Sequence, residues 1–197
     1  MSPVPDPVTR DDLVTSFETL SRDGAEFWSG FPPDVFVSPI GEAWSPADNV
    51  RHLIKSTKPV ADALRLPRIV PKLLFGRPSG PSRSFAEIRG IYREALAAGA
   101  TAGRFAPSEQ PVFTDAAAFQ AEVIARWSEV VRKLALTVAG LSEAALDASR
   151  LPHPVIGKLT VREMLFFTLY HHEHHAATVT RRLAEPPNAD AGGNTRD

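Results

Sequence analysis

The stretch Tyr170-His171-His172-Glu173-His174-His175 holds four of the six histidines of this chain and indicates both its fold and its function. The stretch lies inside residues 160–183, where apolar side chains recur at the spacing of an α-helix. Thr160 and Glu163 have the spacing of a capping box at the start of this segment, and neither proline nor glycine interrupts it. The pattern therefore predicts one long helix that carries the histidines.

The spacing of the histidines along that helix makes them candidate metal ligands. His171 and His175 are four residues apart, so they lie one turn apart on the same face, where two imidazoles can hold one metal ion. The spacing leaves alternatives open, because His172 with His175, or His171 with His174, are three residues apart and could also converge. His175 is the strongest candidate because it lies on both rows of side chains along the helix, one formed by Met164, Thr168, His171 and His175 and the other by Leu165, Thr168, His172, His175 and Val179.

A third ligand must come from another helix, and His52 is the candidate. Ser45 is predicted to be the N-cap of this helix, with Pro46 at its first position. An apolar stripe follows, and His52 lies beside it in the second turn. Pro59 removes one backbone hydrogen bond from the run, which predicts a kink or a break near Ser56.

Two further long helices are predicted at residues 10–28 and 115–139, the second capped by Thr114. Residues 66–84, rich in proline and basic side chains, predict an excursion made of a short apolar turn and a basic loop, followed by a shorter helix over 85–98. Strand-like alternation is scarce. The predicted fold class is therefore all-α: a four-helix bundle with an extra helical and loop excursion between the second and third long helices.

Length and composition bound the remaining possibilities. The 197 residues predict a flexible N-terminal tail at 1–8, a single helical domain at 9–185 and a polar, disordered tail at 186–197. The absence of cysteine excludes disulfides, thiolate ligands and cysteine nucleophiles. A formal net charge of −1 gives no field that would attract nucleic acid or an anionic membrane. Since neither a signal-peptide pattern nor a membrane-spanning run is present, the expected location is cytoplasmic.

Two motifs together resemble those of the DinB/YfiT superfamily. The first is Trp44-Ser45-Pro46-Ala47-Asp48-Asn49-Val50-Arg51-His52-Leu53, and the second is the HxxxH pair far along the chain on the last helix. The resemblance covers most of the chain in order and spacing. It implies an up-down-down-up four-helix bundle that holds one divalent metal ion between the second and fourth helices, and commonly a homodimer. Carried over residue by residue, it implies the ligands His52, His171 and His175, with His172 and His174 more exposed or next to the ligands.

The ligand type suggests the chemistry. Three neutral imidazoles suit zinc or nickel, and three protein ligands leave a position open to water or substrate. A metal ion there lowers the pKa of a bound water towards about 7 or binds a substrate thiol as thiolate. Glu163 is expected to serve as a cap and Glu173 to point away from the ligands, so catalytic residues stay unknown and no general base is named.

Three functional hypotheses follow. The first is a metal-dependent enzyme similar to the family's thiol S-transferases and hydrolases, acting on a small molecule. A low-molecular-weight anionic thiol would then be held by basic residues of the excursion: Arg65, Arg68, Lys72, Arg77 and Arg83. The alternative is a non-catalytic, stress-associated, ligand-binding helical bundle. The third is a structural homo-oligomer whose histidines no longer bind metal, with Trp28, Trp127, Phe166 and Phe167 either exposed at an interface or buried in the core. His153, between two prolines, is expected to be a surface or turn histidine.

Overall fold

The computed structural model describes residues 6–67 and 69–185, so the predicted tails lie mostly outside the described residues. The described chain forms eight α-helices and one two-stranded antiparallel sheet, which confirms the all-α fold class. The helices are α1 Arg10–Ser29, α2 Pro33–Val37, α3 Pro46–Leu64, α4 Ile69–Phe75, α5 Phe85–Ala97, α6 Ala116–Ala139, α7 Glu143–Leu146 and α8 Val161–Ala184. The strands are β1 Arg150–His153 and β2 Gly157–Thr160.

The N-cap residues of the long helices are those predicted from the sequence, with one exception. Ser45 caps α3 and the box of Thr160 and Glu163 caps α8, as predicted. At α6 the cap is Asp115 rather than Thr114, because the carboxylate accepts hydrogen bonds from two N–H groups of the first turn at 2.9 and 3.0 Å.

Of the kink or break predicted near Ser56, the break is wrong, because α3 is continuous from Pro46 to Leu64. Pro59 lies on the exposed face of the helix. Water can therefore solvate the backbone carbonyl that the missing N–H would have paired, and the helix continues through the proline.

Contacts near the helix ends fix the direction of α6 relative to α1. Arg10, at the start of α1, donates to the carbonyl of Leu141, just after the end of α6, at 3.1 Å. Gln120, near the start of α6, donates to the carbonyl of Trp28, near the end of α1, at 3.1 Å. The two helices are therefore antiparallel.

Side-chain contacts place the other two long helices. Along α3, Asn49 contacts His175 of α8 and Thr57 contacts His172, so residue numbers rise on one helix as they fall on the other. Arg162, at the start of α8, donates to the carbonyl of Val8, just before α1, so α1 and α8 run in the same direction. The four long helices thus run up, down, down and up.

The largest aromatic side chains form the core of this bundle. Trp28 and Trp127 are each 1% exposed, and Phe166 and Phe167 are 2% and 6% exposed. Of the two interpretations of these four residues, an exposed interface or the buried core, the structure supports the core.

A β-hairpin, which the sequence pattern does not predict, lies immediately before α8. Its register pairs Arg150 with Thr160 and His153 with Gly157. The Nδ1 atom of His153 accepts hydrogen bonds from the N–H groups of Val155 and Ile156 at 3.2 and 3.1 Å, which closes the turn. The hairpin fixes the place where α8 begins and presents His153 to the bundle.

Candidate metal centre

Helices α3 and α8 bring together the three histidines that the sequence singled out. The Nε2 atom of His171 lies 3.1 Å from Nε2 of His52 and 3.1 Å from Nε2 of His175. Each of the three residues offers one nitrogen, and these atoms all lie within 4.8 Å of one another. The three-histidine group could therefore hold a metal ion.

The proton of the His52 ring is placed by a backbone carbonyl. His52 is 4% exposed, and its Nδ1 lies 2.8 Å from the carbonyl oxygen of Phe105. A carbonyl only accepts hydrogen bonds, so Nδ1 carries the proton and donates it. The neutral ring consequently presents the lone pair of Nε2 to the cluster.

His175 is oriented in the same way by Asn49. The Nδ2 group of Asn49 donates to the carbonyl of Ser45 at 2.8 Å, which directs its Oδ1 towards His175. That oxygen accepts from Nδ1 of His175 at 2.7 Å. Nε2 of His175 therefore also presents a lone pair, and Asn49 acts as the positioning residue of this ring.

These tautomers give the cluster a donor set that suits a cation. Two lone pairs, on His52 and His175, face the Nε2 atom of His171. Four nitrogens bound to zinc at about 2.0–2.1 Å in a tetrahedron lie about 3.3 Å from one another. The separations from His171 to His52 and to His175, 3.1 Å each, are close to that spacing, and all three nitrogens lie within 4.8 Å of one another, so the residues present fit a divalent metal ion.

Burial keeps the three rings neutral. Desolvation lowers the pKa of His171 and of His175 well below the ordinary value for histidine, and the neighbouring histidines lower both further. Desolvation also lowers the pKa of His52, although the hydrogen bond to Phe105 opposes it. Since neutral imidazole is the form that binds metal, the three histidines need not lose a proton before a metal ion could bind.

His172 has a different role from its neighbours. It is 1% exposed, its Nδ1 accepts from the indole N–H of Trp127 at 3.1 Å, and its Nε2 donates to the hydroxyl of Thr57 at 3.0 Å. Burial lowers its pKa to about 3. Of the two expectations for His172, more exposed or next to the ligands, exposure is wrong: the residue joins α3, α6 and α8 inside the core, and both of its nitrogens are engaged.

The histidine cluster lies in the wall of a cavity of about 800 Å³. His174 and His153 also line this cavity, outside the three-histidine group. Apolar side chains supply much of the rest of the wall, among them Trp44, Val60, Leu66, Leu74, Phe75, Leu96, Met164 and Phe167.

The cations that line the cavity are not those that the sequence suggested. Arg104 and Arg182 line it, whereas Arg65, Lys72, Arg77 and Arg83 do not. Arg83 instead binds the carboxylate of Glu163 at 2.8 Å, and Arg68 lies outside the described residues. Glu163 also accepts from the backbone N–H of Thr160 at 2.8 Å, which confirms its role as a cap.

Sequence reasoning missed three residues of the site. Asn49 had a usable signal, since it precedes His52 by three residues and so shares its helix face. Tyr92 and His153 had no such signal, because α5 and the hairpin reach the cavity only through the tertiary fold.

No helix in the described ranges is both long enough and apolar enough to cross a membrane.

Comparison with known proteins identifies the family of the chain. The family model of the DinB superfamily matches residues 9–179, which include all three histidines of the cluster. No curated protein and no solved structure matches the chain. Because the family match spans most of the sequence, the protein belongs to the DinB superfamily.

Proposed function

We propose that this protein is a metal-dependent enzyme in which His52, His171 and His175 bind one divalent metal ion, zinc or nickel. The observation that carries the proposal is the convergence of three Nε2 atoms, two of which are held as lone-pair donors by Phe105 and Asn49. Neutral imidazoles favour these two metals over magnesium or calcium, which prefer oxygen ligands.

The proposed reaction class is transfer to a thiol or hydrolysis, on a small-molecule substrate. When bound, the metal ion supplies a Lewis acid that holds a thiol as thiolate or lowers the pKa of water towards about 7. The chain contributes three ligands, which leave a position for the substrate, and a cavity large enough for a small organic molecule. A low-molecular-weight anionic thiol is the proposed co-substrate, with Arg104 and Arg182 as its cationic contacts in the wall.

The metal content of protein purified without a histidine tag tests the first step. Wild-type protein should carry, or take up, close to one equivalent of zinc or nickel. His52→Ala and His175→Ala should lose that capacity, because each removes one ligand from a different helix. His174→Ala is the matched control: this histidine lies on the same helix and lines the same cavity, yet it is outside the cluster and should leave metal binding unchanged.

Wild-type protein that neither contains nor takes up either metal would contradict the enzyme proposal. The apolar walls of the cavity would then favour the second candidate, a non-catalytic module that binds an apolar ligand. Metal uptake with the expected loss in both variants would instead justify a screen of thiol-transfer and hydrolysis reactions.

A further inference from the structure

Tyr92 is a buried side chain in the cavity wall whose hydroxyl is not used by the fold. The residue is 7% exposed and comes from α5. Within the described residues no hydrogen bond to its hydroxyl forms, and no buried polar side-chain atom lacks a partner. The hydroxyl is therefore accessible to solvent, and Tyr92 is one of the residues that line the cavity.

His153 presents a second hydrogen-bond donor to the same cavity. Its Nδ1 accepts from the backbone N–H groups of Val155 and Ile156, so the proton of the neutral ring is on Nε2. Burial lowers its pKa to about 4, so the ring stays neutral at pH 7. Nε2 makes no hydrogen bond in the part of the chain that the structure describes, and the ring lines the cavity.

The two donors lie beside the histidine cluster. The ring of Tyr92 is 6.4 Å from that of His153 and 5.8 Å from that of His171, measured between centroids. Phe167 contacts both histidines, with centroids 4.2 Å from His153 and 5.0 Å from His171. A small polar group bound by Tyr92 and His153 would therefore lie next to the proposed metal position.

The charge and polarity of the wall identify the kind of group that fits. Both donors are neutral, and each can donate a hydrogen bond to an acceptor on a bound molecule. The charged side chains that line the cavity are Arg104, Arg182 and Glu42, two cations and one anion, so the wall favours an anionic ligand. Apolar side chains form much of the remaining wall and suit an apolar body.

We propose that Tyr92 and His153 form a two-donor subsite that binds a carboxylate oxygen of an organic acid with an apolar body. The subsite specifies the substrate class of the proposed enzyme and in that respect rests on the proposed function. Its own binding step does not require a metal ion, so the two proposals can be tested separately.

An NMR titration of ¹⁵N-labelled protein with hexanoate tests the subsite, in the presence of a chelator and again after loading with zinc. Wild-type protein should bind hexanoate in both forms, and more tightly than it binds hexan-1-ol. Tyr92→Phe removes only the hydroxyl. His153→Asn keeps an acceptor for the N–H groups of the turn but removes the Nε2–H donor. Each should raise the dissociation constant for hexanoate about tenfold, as expected for a lost hydrogen bond to a charged group.

Tyr170→Phe is the matched control. Tyr170 packs near Tyr92, with centroids 6.3 Å apart, but it does not line the cavity, so its substitution should leave hexanoate binding unchanged. Failure of wild-type protein to bind hexanoate in either form would overturn the subsite, as would binding that neither substitution weakens.

The metal dependence separates this proposal from the proposed function. Binding that occurs only in zinc-loaded protein, and that His52→Ala abolishes while Tyr92→Phe does not, would show that the metal alone takes the carboxylate and would overturn the subsite. A tenfold loss in Tyr92→Phe and His153→Asn, measured in protein that takes up no zinc, would support the subsite and contradict the metal-dependent enzyme.

Discussion

At the scale of single residues, the partner of each ring decides what a buried histidine of this protein does. Phe105 and Asn49 hold the proton of His52 and His175 on Nδ1, which leaves Nε2 as a lone-pair donor. Trp127 acts in the opposite sense on His172, because its indole N–H occupies Nδ1 and forces the proton onto Nε2. The same neutral side chain is therefore a candidate ligand in one setting and a structural hydrogen-bond donor in the other.

His153 makes the stability of the protein depend on pH in a way that can be calculated. Its pKa is lowered to about 4 in the folded protein, against an ordinary value of 6.5. The unfolded chain therefore binds a proton at a higher pH than the folded chain does. The stabilisation from neutral His153 is complete above pH 6.5 and is lost as the pH falls from about 6.5 to about 4.

Between pH 7 and pH 5, wild-type protein should lose about 1–2 kcal/mol more of its free energy of unfolding than His153→Asn does. Asparagine retains an acceptor for the N–H groups of Val155 and Ile156 but does not titrate, so it removes only the pH-dependent part. Urea denaturation at several pH values measures the difference. Parallel pH profiles for the two proteins would contradict this role of His153.

Helical spacing alone leaves several histidine pairs open on α8, and the resemblance to the family narrows them to His171 and His175, with His52 from the helix capped by Ser45. The structure brings these three histidines together. The burial of His172 could not be predicted in this way. It faces Thr57 of α3 and Trp127 of α6, and only the tertiary packing of those helices shows that this side of α8 is covered.

At the scale of elements, α8 is the central helix of the bundle. It contacts α1, α3, α5 and both strands of the hairpin, and it is buried on almost every side along its first half. A helix covered on all sides loses the simple amphipathic pattern. That loss explains why the apolar rows of the sequence left the ligand pair ambiguous, although the helix itself and its cap were predicted correctly.

The unpredicted hairpin has a comparable explanation. Its strands are four residues each, and Pro152 stands inside β1 with Pro154 directly after it. Proline normally argues against a strand, but in a two-stranded sheet it can occupy the edge that lacks a partner. The long helices could thus be predicted from periodicity and caps, whereas this element depends on the surface of α8 and α4 against which it packs.

The crossing of α1 and α6 depends on Gly24, which by helix propensity alone is a weak point of α1. A Cβ atom at this position would lie 2.2 Å from Cη2 of Trp127, a distance that the two groups cannot adopt without moving. Gly24→Ala should therefore destabilise the protein by about 1–3 kcal/mol despite the better helix propensity of alanine. The midpoint of urea unfolding measures the effect.

Gly90 provides the matched control, because it also lies inside a helix but a Cβ atom there meets nothing within 4 Å. Gly90→Ala should stabilise the protein by about 0.5–1 kcal/mol. Stabilisation of similar size in both variants would show that the indole of Trp127 can shift at no cost, and would contradict the packing argument.

At the scale of the whole molecule, the candidate metal centre joins parts of the chain that are far apart in sequence. His52 and His171 are 119 residues apart, and the helices that carry them are the second and fourth of the bundle. A ligand that binds all three histidines must therefore bind the folded bundle in preference to the unfolded chain. Binding and global stability are linked for this reason.

Zinc should consequently raise the melting temperature of the protein. At a free zinc concentration about 100 times the dissociation constant, linkage predicts about 2.7 kcal/mol of added stability, which for a chain of this length corresponds to about 5–10 °C. The shift should be absent in His175→Ala and retained in His174→Ala, as followed by circular dichroism with and without zinc. A shift of equal size in His175→Ala would place the bound zinc elsewhere, since that variant lacks one of the two candidate ligands on α8.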